Sequence, residues 1–250
     1  MSGDAALLPR FFYRALRARW RDQRAEIAAL TDAIRPGDVA VDVGANKGSY
    51  LPWLARAARP GAVVAFEPQS ELAAYLARAC RAAGLSNVVV EAAGVSERSG
   101  TLALHVPGEG RSSPGATFEP SVAALSPGRA SAVPVVSLDE YFRREARRIA
   151  AVKVDVEGHE LAVLRGAAEV LEKHGPLVVF ECEARHVGEE GLASALAFFV
   201  ARDYEGWFVR RGRLAPVVRF DPAKHQRRSG GRFWDAPDYC NNFVMRRRRG

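Results

Sequence analysis

The sequence predicts an α/β protein built on a mostly parallel sheet, and two observations support that fold class. Short apolar runs alternate repeatedly with segments of helical spacing, which is typical of a parallel sheet covered by helices on both faces. The first apolar run ends in a glycine-rich turn that opens a helix, as in the first half of a βαβ unit. Because the chain has 250 residues and shows no internal repeat, we expect residues 36–250 to form a single domain.

The N-terminal segment, residues 1–35, predicts an amphipathic helix over 5–34. Apolar side chains recur at roughly helical spacing from Leu7 to Ile34. Basic side chains occupy much of the remaining surface: Arg10, Arg14, Arg17, Arg21 and Arg24. Such a helix could lie on a membrane surface. The alternative, which we favour, is a helix that packs on or beside the domain, with the arginine stems covering its rim.

The glycine turn follows the first predicted strand, Val39–Val43, and contains Gly44, Asn46 and Gly48. Glycine can take positive φ and lets a ligand approach the backbone, and Asn tolerates the left-handed region better than most residues. This pattern predicts a nucleotide-binding turn. The alternative is an ordinary turn between a strand and a helix, since short motifs have a real false-positive rate.

The later elements follow in order along the chain. The strands are predicted at 63–67, 88–95, 101–106, 133–136, 151–156, 177–182, 207–210 and 242–246. The helices are predicted at 70–83, from 138 onward, at 159–173 and at 189–202. Residues 107–132 are rich in Pro, Gly and Ser, which predicts a long loop that could act as a lid. Residues 210–232 carry eight basic residues and one acid, which predicts a basic loop between the last two strands.

The polar residues that end the apolar runs are the candidate ligand-binding groups, since parallel sheets bind ligands at the carboxyl ends of their strands. Glu67 ends the second strand, 23 residues after Gly44, where a carboxylate can accept hydrogen bonds from ribose hydroxyls. Its alternative role is an acid near the start of the helix that opens at Ser70. A nicotinamide dinucleotide and S-adenosylmethionine both contain such a ribose.

Two features favour S-adenosylmethionine over a dinucleotide. A pyrophosphate rests on bare backbone amides and prefers the pattern G-x-G-x-x-G, whereas here Asn46 replaces the second glycine. Four carboxylates also surround the expected pocket: Asp42, Glu67, Asp155 and Glu157. Carboxylates suit a sulfonium cation and a ribose better than they suit a pyrophosphate.

The segment Val152–Glu160 is the second candidate group of site residues. Strand alternation places Lys153, Asp155 and Glu157 on one side. Asp155 could orient an acceptor hydroxyl, and either Asp155 or His159 could accept its proton as a general base. The alternative for His159 is a residue at the helix start that faces solvent. A metal bound by the carboxylates of Asp155, Glu157 and Glu181, the last of which ends the strand 177–182, is a weaker alternative that we do not expect, because paired carboxylates also bind amines and hydroxyls.

The charge and the cysteines limit the classes of function. The net charge of +7 comes from the two termini and from residues 210–232, so residues 31–209 are net acidic. A nucleic-acid binder more often spreads positive charge over its working face, and we therefore expect no nucleic-acid partner. Three scattered cysteines show neither metal spacing nor a disulfide pattern. With no signal peptide or membrane-spanning run evident, we expect a cytoplasmic protein.

Four segments together resemble the FkbM family of S-adenosylmethionine-dependent methyltransferases. They are Val-Asp-Val-Gly-Ala-Asn-Lys-Gly-Ser-Tyr from Val41, Ala-Phe-Glu-Pro from Ala65, Ser-Leu-Asp-Glu-Tyr-Phe from Ser137 and Val-Lys-Val-Asp-Val-Glu-Gly-His-Glu from Val152. The resemblance runs from about residue 36 to about residue 183. The first segment is shared with many methyltransferases, whereas the last is much more specific.

The resemblance implies a class I methyltransferase fold, a Rossmann-like three-layer sandwich whose seven-stranded sheet ends in an antiparallel strand. It also implies methyl transfer, usually to a hydroxyl on a sugar, polyketide or other small molecule. Carried over by motif, the cofactor-binding residues would be Asp42, Gly44, Asn46, Gly48 and Glu67, and Asp155 with Glu157 would line the reaction site. The acceptor would be a small molecule or glycan. The basic residues in 210–232 suggest that this acceptor is anionic.

Two other functions are compatible with the same sequence. An RNA or other nucleic-acid methyltransferase would use the arginine-rich ends, although the chain lacks an Asn-Pro-Pro-Tyr-type motif. A non-catalytic nucleotide-binding protein could also have this fold. The resemblance leaves the N-terminal helix and residues 107–132 and 210–232 unassigned, and these three segments are where we expect acceptor choice to be made.

Overall fold

The computed structural model describes residues 7–248 with the exception of residues 111, 229, 232, 234 and 235. Ten α-helices occur in this part of the chain: α1 Leu8–Arg17, α2 Arg24–Ala33, α3 Leu51–Ala58, α4 Ser70–Ala82, α5 Pro120–Ala123, α6 Leu138–Tyr141, α7 Glu160–Arg165, α8 Ala168–His174, α9 Ala184–Val200 and α10 Pro222–His225. The eleven strands are β1 Val39–Val43, β2 Ala62–Phe66, β3 Val88–Glu91, β4 Gly94–Val95, β5 Gly100–Pro107, β6 Gly128–Val136, β7 Ile149–Val154, β8 Leu177–Glu181, β9 Tyr204–Arg210, β10 Arg213–Pro216 and β11 Asn242–Arg247.

The main sheet has eight strands in the order β10-β9-β11-β8-β7-β1-β2-β3. Strands β3, β2, β1, β7 and β8 are parallel, and β11 runs antiparallel to both of its neighbours. This confirms the predicted mostly parallel sheet with an antiparallel last strand. The eighth strand, β10, forms an edge hairpin with β9 within the predicted basic loop. Arg211 and Gly212 make the hairpin possible, because both have positive φ as a tight two-residue turn requires.

Helices cover both faces of the main sheet. The side chains of β1 alternate between the two hydrophobic clusters that these helices form with the sheet. Val39, Val41 and Val43 belong to one hydrophobic cluster, which includes buried residues of α7, α8 and α9. Ala40 belongs to the other, which includes buried residues of α1 to α4. Since successive side chains point to opposite faces, Asp42 lies on the same face as Ala40. A carboxylate is therefore buried within the layer between the sheet and the N-terminal half of the chain.

The N-terminal segment differs from the predicted continuous helix. A π-helical turn, Ala18–Asp22, follows α1, and the backbone leaves the helical region at Gln23 before α2 begins. Helix α1 meets the second cluster through Phe11, the π-helical turn through Ala18, and α2 through Ile27 and Leu30. Within the described residues, no helix combines the length and the apolar character needed to span a bilayer. Residues 1–6 of the predicted segment lie outside the described residues.

Glu26 of α2 is buried in this layer, and the Glu26→Gln variant should be more stable than the parent above neutral pH. Burial raises the pKa of Glu26 from 4.5 to about 7. The folded state therefore favours the protonated acid, and ionisation costs stability as pH rises from about 4.5 to about 7. We expect a gain of roughly 2 kcal/mol at pH 8 and none near pH 4, measured by urea unfolding. Gln substitution at the exposed Glu190 is the control, and an equal gain there would contradict this explanation.

A second sheet of three strands, in the order β4-β6-β5, covers part of the segment predicted as a single loop. Residues 88–95 are two strands, because Gly94 and Val95 leave the main sheet and pair with β6. A Cβ on Gly94 would lie 2.5 Å from the Phe118 ring, so only glycine allows this packing. The predicted loop 107–132 contains α5 and the start of β6, and a bridge joins Thr117 to His105.

Two predicted helices also have different bounds in the structure. The predicted helix 159–173 is divided into α7 and α8 at Gly166, where a Cβ would overlap the backbone oxygen of Ser96. The helix predicted at 189–202 begins at Ala184 and is kinked at Gly188, whose φ is 72°. The pattern of apolar residues continues through Gly166, which is why the sequence did not reveal that break. The kink at Gly188 lies just before the predicted helix, in the turn that the sequence did not assign to it.

Candidate active site

A cleft opens at the carboxyl ends of β1, β2 and β7 and contains about 500 Å³ of space, part of it open to solvent. Residues from three predicted site segments line it: Gly44, Asn46, Glu67, Asp155 and Glu157. The segment from Pro114 to Phe118 lies against it from the side of the small sheet. The Gln69 side chain holds this segment in place through two hydrogen bonds. Its Nε2 donates to the Ser113 carbonyl oxygen at 3.0 Å, and its Oε1 accepts from the Ser113 amide at 2.9 Å.

The glycine turn is inserted between β2 and β7. The amides of Gly44 and Ala45 both donate to the carbonyl oxygen of Phe66 at 3.0 Å. Gly44 has a φ of 74°, and a Cβ there would overlap the backbone oxygen of Asp155. Asn46 has a φ of 48°, and its side-chain oxygen is buried without a hydrogen-bond partner in the described residues. Asn46 lines the cleft, so this buried acceptor belongs to the wall of the site.

Glu67 holds this turn in place as well as lining the cleft. Its Oε2 accepts a hydrogen bond from the Asn46 amide at 2.8 Å, and its Oε1 accepts from the Gln69 amide at 3.0 Å. Burial raises the pKa of Glu67, against the effect of these hydrogen bonds. A carboxylate oxygen has two lone pairs, so Oε2 can accept a further hydrogen bond from a ligand.

Asp42 does not line the cleft, because it is fully buried beneath the turn. Its partner is Lys153, whose Nζ lies 3.2 Å from Asp42 Oδ1 and 3.5 Å from Asp155 Oδ2. Nζ also donates to the carbonyl oxygen of Gly44 at 2.8 Å. Burial works to lower the pKa of Lys153, but the two carboxylates outweigh it and raise that pKa. A protonated lysine therefore joins Asp42, the glycine turn and Asp155.

Asp155 and Glu157 reach the cleft from the end of β7. The Asp155 amide donates to the carbonyl oxygen of Val43 at 3.1 Å, and the Asp155 side chain is 31% exposed. Glu157 has a φ of 52°, a left-handed conformation that turns the chain out of the strand direction. Burial and the neighbouring Asp155 raise the pKa of Glu157 to about 8. One carboxylate is therefore open to solvent and the other tends to keep its proton at neutral pH.

His159 does not line the cleft, although the sequence suggests it as a general base. Its Nδ1 donates to Glu119 Oε1 at 2.6 Å, and its Nε2 lies 2.9 Å from the Ser96 hydroxyl. Both ring nitrogens are therefore engaged, and the ring packs 5.3 Å from that of Phe118. The residue joins the small sheet to the segment that closes the cleft.

The sequence reasoning missed His186, which lies beside Glu157. Its Nδ1 is 3.6 Å from Glu157 Oε2, and burial together with nearby Arg185 lowers its pKa. Arg185 also pairs with Glu183 at 2.7 Å. The signal was present in the sequence, since Cys-Glu-Ala-Arg-His186 directly follows β8, but only Glu181 ends the apolar run.

Glu181 completes the acidic side of the site. It accepts a hydrogen bond from the Asn241 amide group at 2.8 Å. Burial, with repulsion from Asp155 and Glu157, raises its pKa well above the ordinary value. Among the described residues, no group of three or more His, Cys, Asp or Glu has the arrangement needed to hold a metal ion.

A family model matches the part of the chain that contains this site. Residues 42–212 match the family model described as "Methyltransferase FkbM domain", which spans the glycine turn, Glu67 and the end of β7. The hexuronic acid methyltransferase AglP of Haloferax volcanii is 31% identical over 192 residues, which cover 72% of this chain and 71% of that protein.

Solved structures show the same fold at low sequence identity. A methyltransferase FkbM from Methylobacillus flagellatus superposes with a TM-score of 0.52 at 17% identity over 94% of this chain. The match covers 53% of that protein, so this chain spans about half its length. A Streptococcus mutans protein solved in complex with S-adenosylhomocysteine superposes with a TM-score of 0.50 at 10% identity, over 89% of this chain and 96% of that one.

Proposed function

The chain belongs to the FkbM family of methyltransferases, and from this we propose that it transfers the methyl group of S-adenosylmethionine to a hydroxyl of an acidic sugar. The observation that carries the proposal is the convergence of Asn46, Glu67, Asp155 and Glu157 on one cleft. These residues come from the ends of three adjacent parallel strands, where ligands bind in folds of this type.

The residues of the cleft suit S-adenosylmethionine. Asn46 has a buried oxygen without a partner, and Glu67 has acceptor capacity left after binding the turn. Ribose hydroxyls and an amino group are the donors that such oxygens require. Gly44 keeps the turn free of a side chain beside Asp155. Asn46 and Glu67 would hold the adenosine side, and Asp155 would lie toward the sulfonium.

Methyl transfer needs little more than alignment and removal of one proton. Bound S-adenosylmethionine supplies an electrophilic methyl group on a sulfonium centre. Asp155 orients the acceptor hydroxyl toward that centre, and Lys153 fixes Asp155. Glu157 would accept the hydroxyl proton while the acceptor oxygen takes the methyl group, so the carboxylate becomes a neutral acid and S-adenosylhomocysteine leaves as a neutral thioether. His186, whose Nδ1 lies 3.6 Å from Glu157 Oε2, would help to position that carboxylate. The segment 113–118 covers one side of the cleft.

The pH dependence of kcat/KM should report the ionisation of Glu157. A general base works only when deprotonated, and the pKa of Glu157 is about 8. Activity should therefore rise between about pH 7 and pH 9 and then level off. In the Glu157→Gln variant this rise should disappear, with a loss of roughly 100-fold at pH 9.

Glu160→Gln is the matched control for this experiment. Glu160 lies three residues further on, its pKa is also raised by burial, to about 7, and it does not line the cleft. This variant should keep the rise in activity with pH. A Glu157→Gln enzyme that keeps the rise would show that another group accepts the proton.

The basic segment supports an anionic acceptor. Gln226 anchors the segment by donating to the carbonyl oxygens of Cys182 and Cys240 at 2.8 and 3.0 Å. The next residues, Arg227 and Arg228, are exposed, and Arg228 lies close enough to His186 to help lower its pKa. A sugar carboxylate would neutralise this charge, as the name of the relative AglP suggests for its own substrate. Arg232 of the same segment lies outside the described residues.

The acceptor class can be tested with methyl-labelled S-adenosylmethionine and a pair of glycans, one ending in glucuronic acid and the other in glucose. We expect transfer to the acidic glycan, with a KM that rises about tenfold in the Arg227→Gln/Arg228→Gln variant. Arg219→Gln, in the same segment, should leave that KM unchanged. Equal transfer to both glycans would reject the acidic acceptor, whereas failure to bind S-adenosylmethionine in calorimetry would reject methyl transfer itself.

A further inference from the structure

A row of large apolar side chains is exposed on the N-terminal helical segment. Phe12, Leu16 and Trp20 follow one another at four-residue spacing and are 39, 49 and 65% exposed. Tyr13, 64% exposed, lies beside them. We call these four residues the apolar row. Side chains at this spacing lie on one helix face, so the row is a continuous surface and not a set of isolated residues.

The apolar row is not part of the protein core. The inner face of the same segment carries Phe11, Ala15 and Ala18, which are at most 3% exposed. These three buried residues pack the segment against the domain. The other large apolar residues that are exposed are distributed along the chain: Val89, Leu125, Tyr141, Val200, Leu214 and Val218. Folding therefore does not account for the apolar row.

Positive charge lies next to the apolar row. On a helix of 3.6 residues per turn, Arg10 and Arg17 of α1 fall on the face adjacent to it, and Arg21 follows in the π-helical turn. Asp22 pairs with Arg17 at 2.7 Å and with Arg21 at 3.6 Å, so one acid faces these two bases. Arg19 stacks on the Trp20 ring at 4.9 Å. A groove beyond Trp20 is formed with the β9–β10 hairpin and is lined by four arginines: Arg21, Arg24, Arg211 and Arg213. Within the described part of the chain, no carboxylate forms an ion pair with Arg24 or Arg213.

We propose that the apolar row and the neighbouring arginines dock this protein on a lipid bilayer that carries anionic headgroups. An apolar face flanked by arginines matches the two layers of such a surface, since the apolar side chains enter the acyl boundary and the arginines meet phosphates. A nucleic acid fits less well, because it would pair with the arginines and leave Phe12 and Leu16 in water. The proposal does not depend on the proposed function.

The helix that carries the apolar row is in direct contact with the elements beside the cleft. The Trp53 indole donates to the carbonyl oxygen of Ala15 at 3.0 Å, and Arg14 donates to the Tyr75 hydroxyl at 3.1 Å. A Cβ on Gly48 would lie 2.9 Å from the Phe11 ring, so this helix packs directly on the glycine turn. A bilayer bound at the apolar row would therefore contact the outer face of the helix whose inner face packs on the glycine turn.

Sedimentation with lipid vesicles tests the proposal with the full chain. The protein should bind vesicles of phosphatidylcholine mixed equally with phosphatidylglycerol, and bind pure phosphatidylcholine at least about tenfold more weakly. The Phe12→Ser/Leu16→Ser/Trp20→Ser variant should lose at least about tenfold in binding to the mixed vesicles. The Arg10→Gln/Arg24→Gln/Arg213→Gln variant should lose a comparable factor, and added salt should weaken binding of the parent protein.

The matched control is Leu125→Ser/Val200→Ser/Val218→Ser, which removes the same number of exposed apolar side chains elsewhere. It should bind vesicles as the parent does. Thermal unfolding should be similar for all variants, since every changed side chain is exposed. The proposal is overturned if the parent protein does not bind the mixed vesicles, or if the control loses as much vesicle binding as the apolar-row variant. Binding to RNA without binding to vesicles would also overturn it.

Discussion

The Lys153→Met variant should be about 3–5 kcal/mol less stable than the parent, because it leaves Asp42 as an unpaired carboxylate in the protein interior. Asp42 is fully buried, and the Lys153 ammonium group 3.2 Å away is its ion-pair partner. Because Met retains most of the Lys side-chain volume, little packing is lost. The decrease in the free energy of unfolding should therefore exceed that expected for removal of an apolar contact. Urea unfolding at neutral pH measures this difference.

A double variant separates the lost ion pair from simple loss of packing. When Asp42→Asn is added to Lys153→Met, the buried charge is gone, and the double variant should be at least about 1 kcal/mol more stable than the sum of the single changes predicts. Lys47→Met is the control, because Lys47 is exposed in the same turn, and it should change stability by less than about 0.5 kcal/mol. Additive effects of the two buried changes would rule out the ion pair as the cause.

The Gly44→Ala variant should lose both stability and activity. An added Cβ would overlap the backbone oxygen of Asp155, and the φ of 74° is itself unfavourable for alanine. Separation of the glycine turn from Asp155 by about 1 Å should lower kcat/KM by roughly 100-fold. The backbone conformation and the forced movement together should cost roughly 2–4 kcal/mol of stability.

Gly84→Ala isolates the contribution of the backbone conformation. Gly84 has a φ of 67°, close to that of Gly44, but a Cβ there would meet no atom within 4 Å. This variant should lose about 1–2 kcal/mol and keep full activity. If Gly44→Ala were no more damaging than Gly84→Ala, the contact between the turn and Asp155 would not be what requires glycine at position 44.

The local patterns that predicted the fold all describe short stretches of chain. Alternating strands and helices, the glycine turn and the acids at strand ends are visible within about ten residues each, and they predicted the mostly parallel α/β sheet that the structure confirms. The class I methyltransferase fold, which the family resemblance implied, is confirmed too. The family resemblance is confirmed as well. The roles of the individual site residues stay predictions, and the structure distributes them between the cleft and the layer beneath it.

His159 and His186 show why the site could not be derived completely. His159 is adjacent in sequence to the predicted carboxylates, yet Ser96 and Glu119 hold its ring outside the cleft. His186 is 29 residues away from Glu157 in sequence and lies 3.6 Å from its carboxylate. Which histidine approaches the cleft depends on how α9 and the segment around Glu119 pack, and no local pattern records that packing.

The sequence by itself determined the parallel sheet, the position of the glycine turn and the family, because each depends on local conformation and on residues within one motif. Only the tertiary structure decided that Asp42 is a buried partner of Lys153, that residues 94–136 build a second sheet, and that the apolar row on the N-terminal segment faces outward. The physical reason is that burial and pairing depend on which distant surfaces meet. An amphipathic pattern shows that a helix has an apolar face, but only packing shows how much of that face remains exposed to solvent.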